Sequence, residues 1–536
     1  MPLTMPTVDE LVDELSQNTG WLESSYEAAA HLEAMGLSDE DARRFYGQPD
    51  VFALAEDVVR RQREQDASRT RAWDKERRRQ TEEYDKHKPD SLLRAIPRFF
   101  IRGAVFGLPM TIMIIAILLL LYSLWAYYYF TVTRATAIGV GTALSYFIAG
   151  GITQAIGRRG LMYLRQGMFL LCLKVSAFFL ALGVVLTLIV AAILWVFFAV
   201  FPVISPLDRN VAVLYYLTLS ALWLCLALLY MLQREFLFSV AIALGIGVVY
   251  IFREWFDWPI IAAHQVGILS AAAFSLVCAL VLLVFYHRRN KDPRTPISTK
   301  LPRVTMLMAS VAPFLLFGFL YFGLLFADRI IAWTGRMPFR QSFIWFRTDY
   351  EVGLNWALLG LLPAFAALEY AIYRFSQFTK PRQLEYSLKE TSSFRDWFMR
   401  FFTMRALTFL VMAIAGVLIA YFGVRYAVRY VPEIAIMFND ISVTVFWWAA
   451  VSYALIAFSL LNVSLFFWVS RPSLAIMAAG PALLVDIIVG FLLSRFFSYW
   501  WAVFGLFSGA VVFALLSLVL AIRVVSKLDY YYYSSF

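Results

Sequence analysis

Along the chain the apolar residues keep two different rhythms. Over roughly the first 95 positions they recur at helical spacing among acids and arginines; from residue 104 onward they fuse into runs of twenty or more. The early segment predicts a small helical module. Thr7-Val8-Asp9-Glu10 has the form of a capping box, with Val8, Leu11, Val12 and Leu15 along one face. A second helix is expected over 23–35, closed by Gly36, and Ser38-Asp39-Glu40-Asp41 opens a third. Residues 50–86 read as one long helix, amphipathic at Val51, Leu54, Val58 and Val59, then mixed in charge where Arg77-Arg78-Arg79 meets Glu82-Glu83. Pro89 and Pro97 mark a linker.

The long runs number twelve, at approximately 104–130, 132–156, 166–201, 209–232, 235–256, 262–287, 304–333, 352–376, 403–429, 441–468, 472–494 and 497–525. A helix needs roughly 20 residues to cross the ~30 Å hydrocarbon layer, so each run predicts a membrane span. The fold class expected is an all-α polytopic membrane protein with a helical N-terminal cytosolic extension. The polar segment 288–303, with Pro293, Pro296 and Pro302, divides the spans six and six. The predicted domains are therefore 1–95, a six-helix bundle over 96–290 and a second over 291–536.

Composition supports this division and narrows the chemistry. The chain is 61% hydrophobic and 16% charged, more apolar surface than a water-soluble core can bury. Its net charge of +10 would suggest nucleic acid in a soluble protein, but here the basic residues cluster in short loops between spans. Arg94 to Arg102, Arg158 to Arg165, His287 to Arg303, Lys380 to Arg405, and Arg523 with Lys527 fall on one side, which carries roughly twice the Lys and Arg of the other. That side is expected to be cytoplasmic, with both termini there. No nucleic-acid partner is expected. Cys172, Cys225 and Cys278 lie inside apolar runs and the histidines at 31, 87, 264 and 287 are scattered, so neither a disulfide framework nor a metal cluster is predicted, and no cofactor.

Polar chemistry meets the lipid between the seventh and eighth spans. Asp328, Arg329, Arg336, Arg340, Arg347, Asp349 and Glu351 crowd the turn that joins them. Ionisable groups next to lipid are costly and tend to face a bundle interior or a wet cavity. A polar passage between helices is one reading; an outer loop of mutually neutralising charges is the other. Asp486 has no charged neighbour within eight residues, so it either serves a cavity or proton relay or is tied to an adjacent helix. Glu369 and Arg374 are placed at the cytoplasmic mouth, and Lys174 reads as a side chain reaching for the interface. Gln154 and Asn462 are polar positions suited to hydrogen bonds between helices. Most tryptophans lie near span ends, as interfacial belts require, with Trp333 and Trp345 exceptional because they flank the charged turn. Arg253, Glu254, Asp257 and His264 form a second charged turn on the outer side.

Certain stretches carry a resemblance. Gly141-Thr142-Ala143-Leu144-Ser145, then Gly150-Gly151-Ile152-Thr153-Gln154, the basic Arg158-Arg159 and the entry Arg165-Gln166-Gly167 resemble the second and third helices of the MATE and polysaccharide-flippase (MOP) superfamily. The run from Tyr321 to Trp333, with its Ala327-Asp328-Arg329 step, is similar to the seventh helix of the Pel exopolysaccharide transporter family. Tyr350-Glu351 and Pro363 stand where that family has a Tyr-acid pair and a proline in its eighth helix. Leu460-Leu461-Asn462-Val463, Arg471 and Leu528-Asp529-Tyr530 resemble its tenth helix and C-terminus. The N-terminal module is foreign to that family, and only Gly107 and Pro109 echo its first helix.

The resemblance implies an exporter or flippase of an exopolysaccharide or lipid-linked saccharide, working with a cytosolic glycosyltransferase and other membrane subunits of a synthase complex. The module would be the dock. On this reading the substrate pathway includes Asp328, Arg329, Arg347, Asp349, Glu351, Glu369, Asp486, Gln154 and Trp333. A multidrug or lipid-precursor flippase of the same fold is the second reading, favoured by ion coupling at Asp486 or Asp328. A membrane-embedded glycosyl- or acyltransferase, or a synthase scaffold, is the third. An enzyme would need an acidic pair or a histidine in a large outer loop, and the longest outer loop, about 334–351, is short.

Overall fold

The computed structural model describes residues 7–19, 25–35, 37–62, 64, 105, 107–117, 119–201, 203–289, 303–335, 344–372, 391–430, 438–527 and 531. Most of the helix expected over 50–86, the prolines at 89 and 97, nearly all of 288–303, residues 377–390, Arg336, Arg340, Arg374 and Leu528-Asp529-Tyr530 lie outside these. The chain forms two compact units, one N-terminal and one membrane-type.

The N-terminal unit contains α1 (Val8–Thr19), α2 (Ser25–Ala34), α3 (Asp39–Tyr46) and α4 (51–62). Two capping boxes start helices as the sequence predicts. Thr7 and Glu10 exchange backbone and side-chain bonds at α1, and Ser38 and Asp41 do so at α3. Gly47 closes α3 with φ 65°, a left-handed conformation that costs glycine nothing. Leu11, Val12, Leu15, Ala28, Leu32, Leu54, Ala55 and Val58 fill a core of its own. Arg61 bridges Asp57 and Asp9, tying α4 to α1.

The membrane unit is helical throughout its described residues, apart from turns and one isolated bridge. It comprises α5 (Gly107–Ile117), α6 (Val132–Arg165), α7 (Phe169–Val200), α8 (Pro206–Met231), α9 (Glu235–Tyr250), α10 (Ile260–Arg289), α11 (Val304–Trp333), α12 (Thr348–Leu359), α13 (Leu361–Ile372), α14 (Thr391–Tyr430), α15 (Asp440–Trp468), α16 (Pro472–Phe496) and α17 (Val503–Ser526). Ten helices among the described residues are long and apolar enough to cross a membrane, and α12 with α13, bent by 40°, makes an eleventh. The expected all-helical architecture of apolar spans is present among the described residues.

The first expected run, 104–130, contains a turn. Beyond α5 the chain turns at Leu121, φ 63°, where Ser123 N–H donates to Ala126 O at 2.8 Å and Tyr128 N–H to Leu121 O at 2.9 Å. The turn leaves little mark on the sequence, because its backbone groups bond to one another. The eighth span breaks at Gly360, three residues before Pro363, whose ring cannot donate to the preceding turn. Helix α14 passes so close to this break that a Cβ on Gly416 would lie 2.1 Å from Gly360 O.

Two apolar cores correspond to the two halves. One joins α5 to α10, and the other joins α11 to α17. Helix α11 belongs to both: Leu307 and Val311 lie in the first core, and Phe317, Leu324 and Ile331 in the second. It packs on α6 of the first half and α16 of the second. A Cβ on Gly318 would meet Gly150 O and Gly151 Cα at 2.8 Å, so the two backbones nearly touch. On α7 the exposed side over 184–200 is apolar, with Val185, Leu188, Ile189, Ile193 and Val196 at helical spacing. Such a stripe suits lipid.

Candidate functional site: a buried ionic cluster in the second half

Residues 304–327 of α11 carry no charge, and the helix then presents Asp328 and Arg329 in its last turns. Helix α12 starts after Arg347 with Asp349 and Glu351 in its first turn, where the helix dipole favours acids. The fold brings these two helix ends together with α15 and α16. Asp328 and Asp486 have no exposed surface, while Glu351 and Arg329 keep only 5% and 8%.

The guanidinium of Arg329 organises the cluster. It donates to Glu351 Oε2, to Asn355 Oδ1 at 3.3 Å and to Tyr453 Oη at 3.3 Å. It also lies over the Phe326 ring, 5.4 Å from its centre. Trp333 Nε1–H donates to the other Glu351 oxygen at 3.0 Å, so that carboxylate is held at both ends. Tyr350 O–H donates to Asp328 Oδ2 at 2.6 Å. Asp328 Oδ1 and both oxygens of Asp486 have no hydrogen-bond partner among the described residues. Three carboxylates against one guanidinium leave two negative charges if all ionise. In an apolar interior those charges require protons or counter-cations, since an isolated buried ion costs far more than its neutral form. Among the described residues no three His, Cys, Asp or Glu side chains are grouped to hold a metal.

Of the residues singled out from the sequence, Asp328, Arg329, Trp333, Glu351 and Asp486 assemble here, and every hydrogen-bond partner found for them lies in the second half. Arg347 does not join them. Its guanidinium donates to Gly335 O at 2.9 Å and lies 4.3 Å from the centre of the Tyr499 ring, capping the end of α11. Asp349 offers its backbone oxygen to Ser442 Oγ at 2.9 Å, with its side chain outside the cluster. Gln154 packs against Gly318 at the joint between halves. Glu369, half-buried on α13, lies by Tyr230 of α8. Trp345 N–H donates to Trp333 O at 2.8 Å.

Sequence reasoning missed Asn355 and Tyr453. Both are polar residues inside apolar runs, the signal that had picked out Asn462, which donates to Ser517 Oγ of α17 at 3.0 Å. The second charged turn does not hold as a group. Glu254 accepts from Tyr122 Oη at 3.0 Å and Arg253 approaches Asp257 at 3.8 Å, but His264 is buried, its Nδ1 2.7 Å from Tyr215 Oη. Lys174 is exposed on α7.

No family model and no curated protein sequence matches the chain. Its fold does match solved structures. A MOP superfamily transporter from Pyrococcus furiosus, described as having a binding pocket of reverse polarity, is similar with a TM-score of 0.53 and 16% identity, over 81% of this chain and 96% of that one. MATE in complex with MaD5 gives 0.52 and 15%, and MATE in complex with MaD3S gives 0.52 and 16%, at the same coverage. The membrane unit of this chain therefore has the multi-helix fold seen in MATE and MOP superfamily transporters.

Proposed function

We propose that this protein is a membrane transporter that exports or flips an exopolysaccharide or lipid-linked saccharide across the bacterial plasma membrane, without covalent chemistry. The observation that carries the reading is a buried ionic cluster held by α11, α12, α15 and α16 within a transporter fold. Among the described residues the site has carboxylate oxygens that meet no donor, which suits charge exchange. The basic loops orient both termini toward the cytoplasm, where the N-terminal unit would dock a cytosolic glycosyltransferase or another subunit of a synthase complex.

The adjacent carboxylates of Asp328 and Asp486 favour the second reading in one respect. Two buried acids that cannot both be charged at low cost make a natural exchange site for a proton, so the same fold would serve an ion-coupled flippase of drugs or lipid-linked precursors. One experiment separates the two. Deleting the gene in the native host should abolish secreted carbohydrate, and Asp328→Asn with Asp486→Asn should reproduce the loss at normal protein levels. Unchanged secretion alongside a gain of sensitivity to lipophilic drugs would replace the saccharide reading by the drug reading. Removal of residues 1–90 should eliminate a glycosyltransferase from material co-purifying with the full chain; an unchanged partner list would reduce the unit to an ordering element.

A further inference from the structure

Where α6 meets α11, the two halves touch through rings. Tyr146 of α6 lies between Trp223 of its own half, with centres 4.4 Å apart and planes 28° apart, and two rings of the other half. Those are Phe326, at 5.2 Å and 20°, and Phe322, at 6.1 Å and 11°. Phe147 and Phe319 form a parallel pair beside them, 5.4 Å apart. The backbone is shaped to receive the rings. A Cβ on Gly150 would lie 2.0 Å from Phe322 Cδ2, and one on Gly151 would lie 2.6 Å from Phe319 Cε1.

Polar groups edge this layer. Trp223 Nε1–H donates to Ser145 Oγ at 3.1 Å, and the Arg329 guanidinium of the ionic cluster lies over Phe326. No hydrogen bond or ion pair is found directly between Tyr146, Phe322 and Phe326, so the layer is held by dispersion and ring electrostatics. Such contacts are individually weak enough to part and re-form.

We propose that this aromatic layer is a gate that also serves as a binding platform for a pyranose ring of the transported saccharide. Closed, as here, the rings cover one another. Open, the faces of Tyr146, Phe322 and Phe326 lie free, with hydrogen-bonding groups at the rim. A pyranose has the matching chemistry: a face of C–H groups that stacks on a flat ring and an edge of hydroxyls. Arg329 argues against an organic cation as the occupant, because a guanidinium on one side of Phe326 already draws on the electron density that a second cation would need.

This inference rests on the saccharide reading, and its test keeps the two apart. In the native host, secreted carbohydrate would be measured for the deletion strain and for chromosomal variants, together with membrane protein level and the thermal unfolding midpoint of the purified full chain. Tyr146→Phe and Tyr146→Trp, which keep a ring face, should secrete within about twofold of wild type. Tyr146→Leu and Phe322→Leu, which keep apolar bulk without a face, should secrete at least tenfold less at unchanged level and midpoint. Equal secretion by the Leu and Phe variants, or a loss explained by a fallen midpoint, overturns the platform and leaves the saccharide reading standing. Undiminished secretion by the deletion strain overturns both.

Discussion

Asp486 of α16 lies within electrostatic reach of Asp328 of α11, and three of their four carboxylate oxygens meet no donor among the described residues. The exception is Asp328 Oδ2, bonded to Tyr350. A side chain so placed contributes little to holding the bundle together. Asp486→Asn should therefore leave the thermal unfolding midpoint in detergent unchanged or raised, while transport falls at least tenfold. Destabilisation by more than about 3 kcal/mol, the upper cost of stranding a buried partner, would mean that Asp486 is a structural tie.

Arg329 and Glu351 behave oppositely, because each answers the other's charge out of contact with water. Glu351→Gln leaves the guanidinium uncompensated and should destabilise the protein by about 3–5 kcal/mol. Combining Arg329→Met with Glu351→Leu removes both charges at similar volume and should recover most of that loss in denaturation measurements. Transport should stay absent in the double variant, since Asp328 then lacks the guanidinium beside it.

Close approach of helices makes certain glycines irreplaceable and others incidental. A Cβ on Gly505 would meet Gly490 Cα at 2.5 Å and Asp486 O at 2.6 Å, both backbone atoms, whereas one on Gly480 would meet nothing within 4 Å. Gly505→Ala should cost about 1–3 kcal/mol through overpacking. Gly480→Ala should be neutral or stabilise by about 0.5–1 kcal/mol, the helical advantage of alanine. Paired thermal melts check the ordering.

The N-terminal unit should weaken in acid. Hydrogen bonds from Thr7 to Glu10 and from Ser38 to Asp41 hold both carboxyls below their ordinary values of 4.5 and 3.8. A depressed folded-state value means that the stabilisation is complete above the unfolded value and is lost as pH falls through the folded one. Circular dichroism melts of residues 1–64, which enclose their own core, should be flat from pH 7 to about 5 and decline below about 4. Ser38→Ala should shrink that decline.

Much of this was legible from spacing. Runs of apolar residues gave the helices because a bilayer imposes length and uniform hydropathy, and Asp328, Glu351 and Asp486 stood out because charge is rare there. The turn at Leu121 was hidden, since a backbone that bonds to itself leaves no trace in side-chain polarity. Tyr453 and Asn355 were hidden as well: a lone polar residue in a span does not reveal which helix it will face. That the rings of Tyr146, Phe322 and Phe326 meet was hidden too, because stacking is a relation between helices distant in sequence.

Helix α11 finally bears on how such a protein is put together. Its first turns are buried with α5 to α10 although the chain has already passed the polar divide at 288–303. A cut at that divide would thus strip the leading half of an apolar surface and hand the trailing half a bare one. Separately translated pieces would have to find each other within the bilayer before either matured, and during synthesis the front half stays unfinished until its seventh helix emerges from the ribosome.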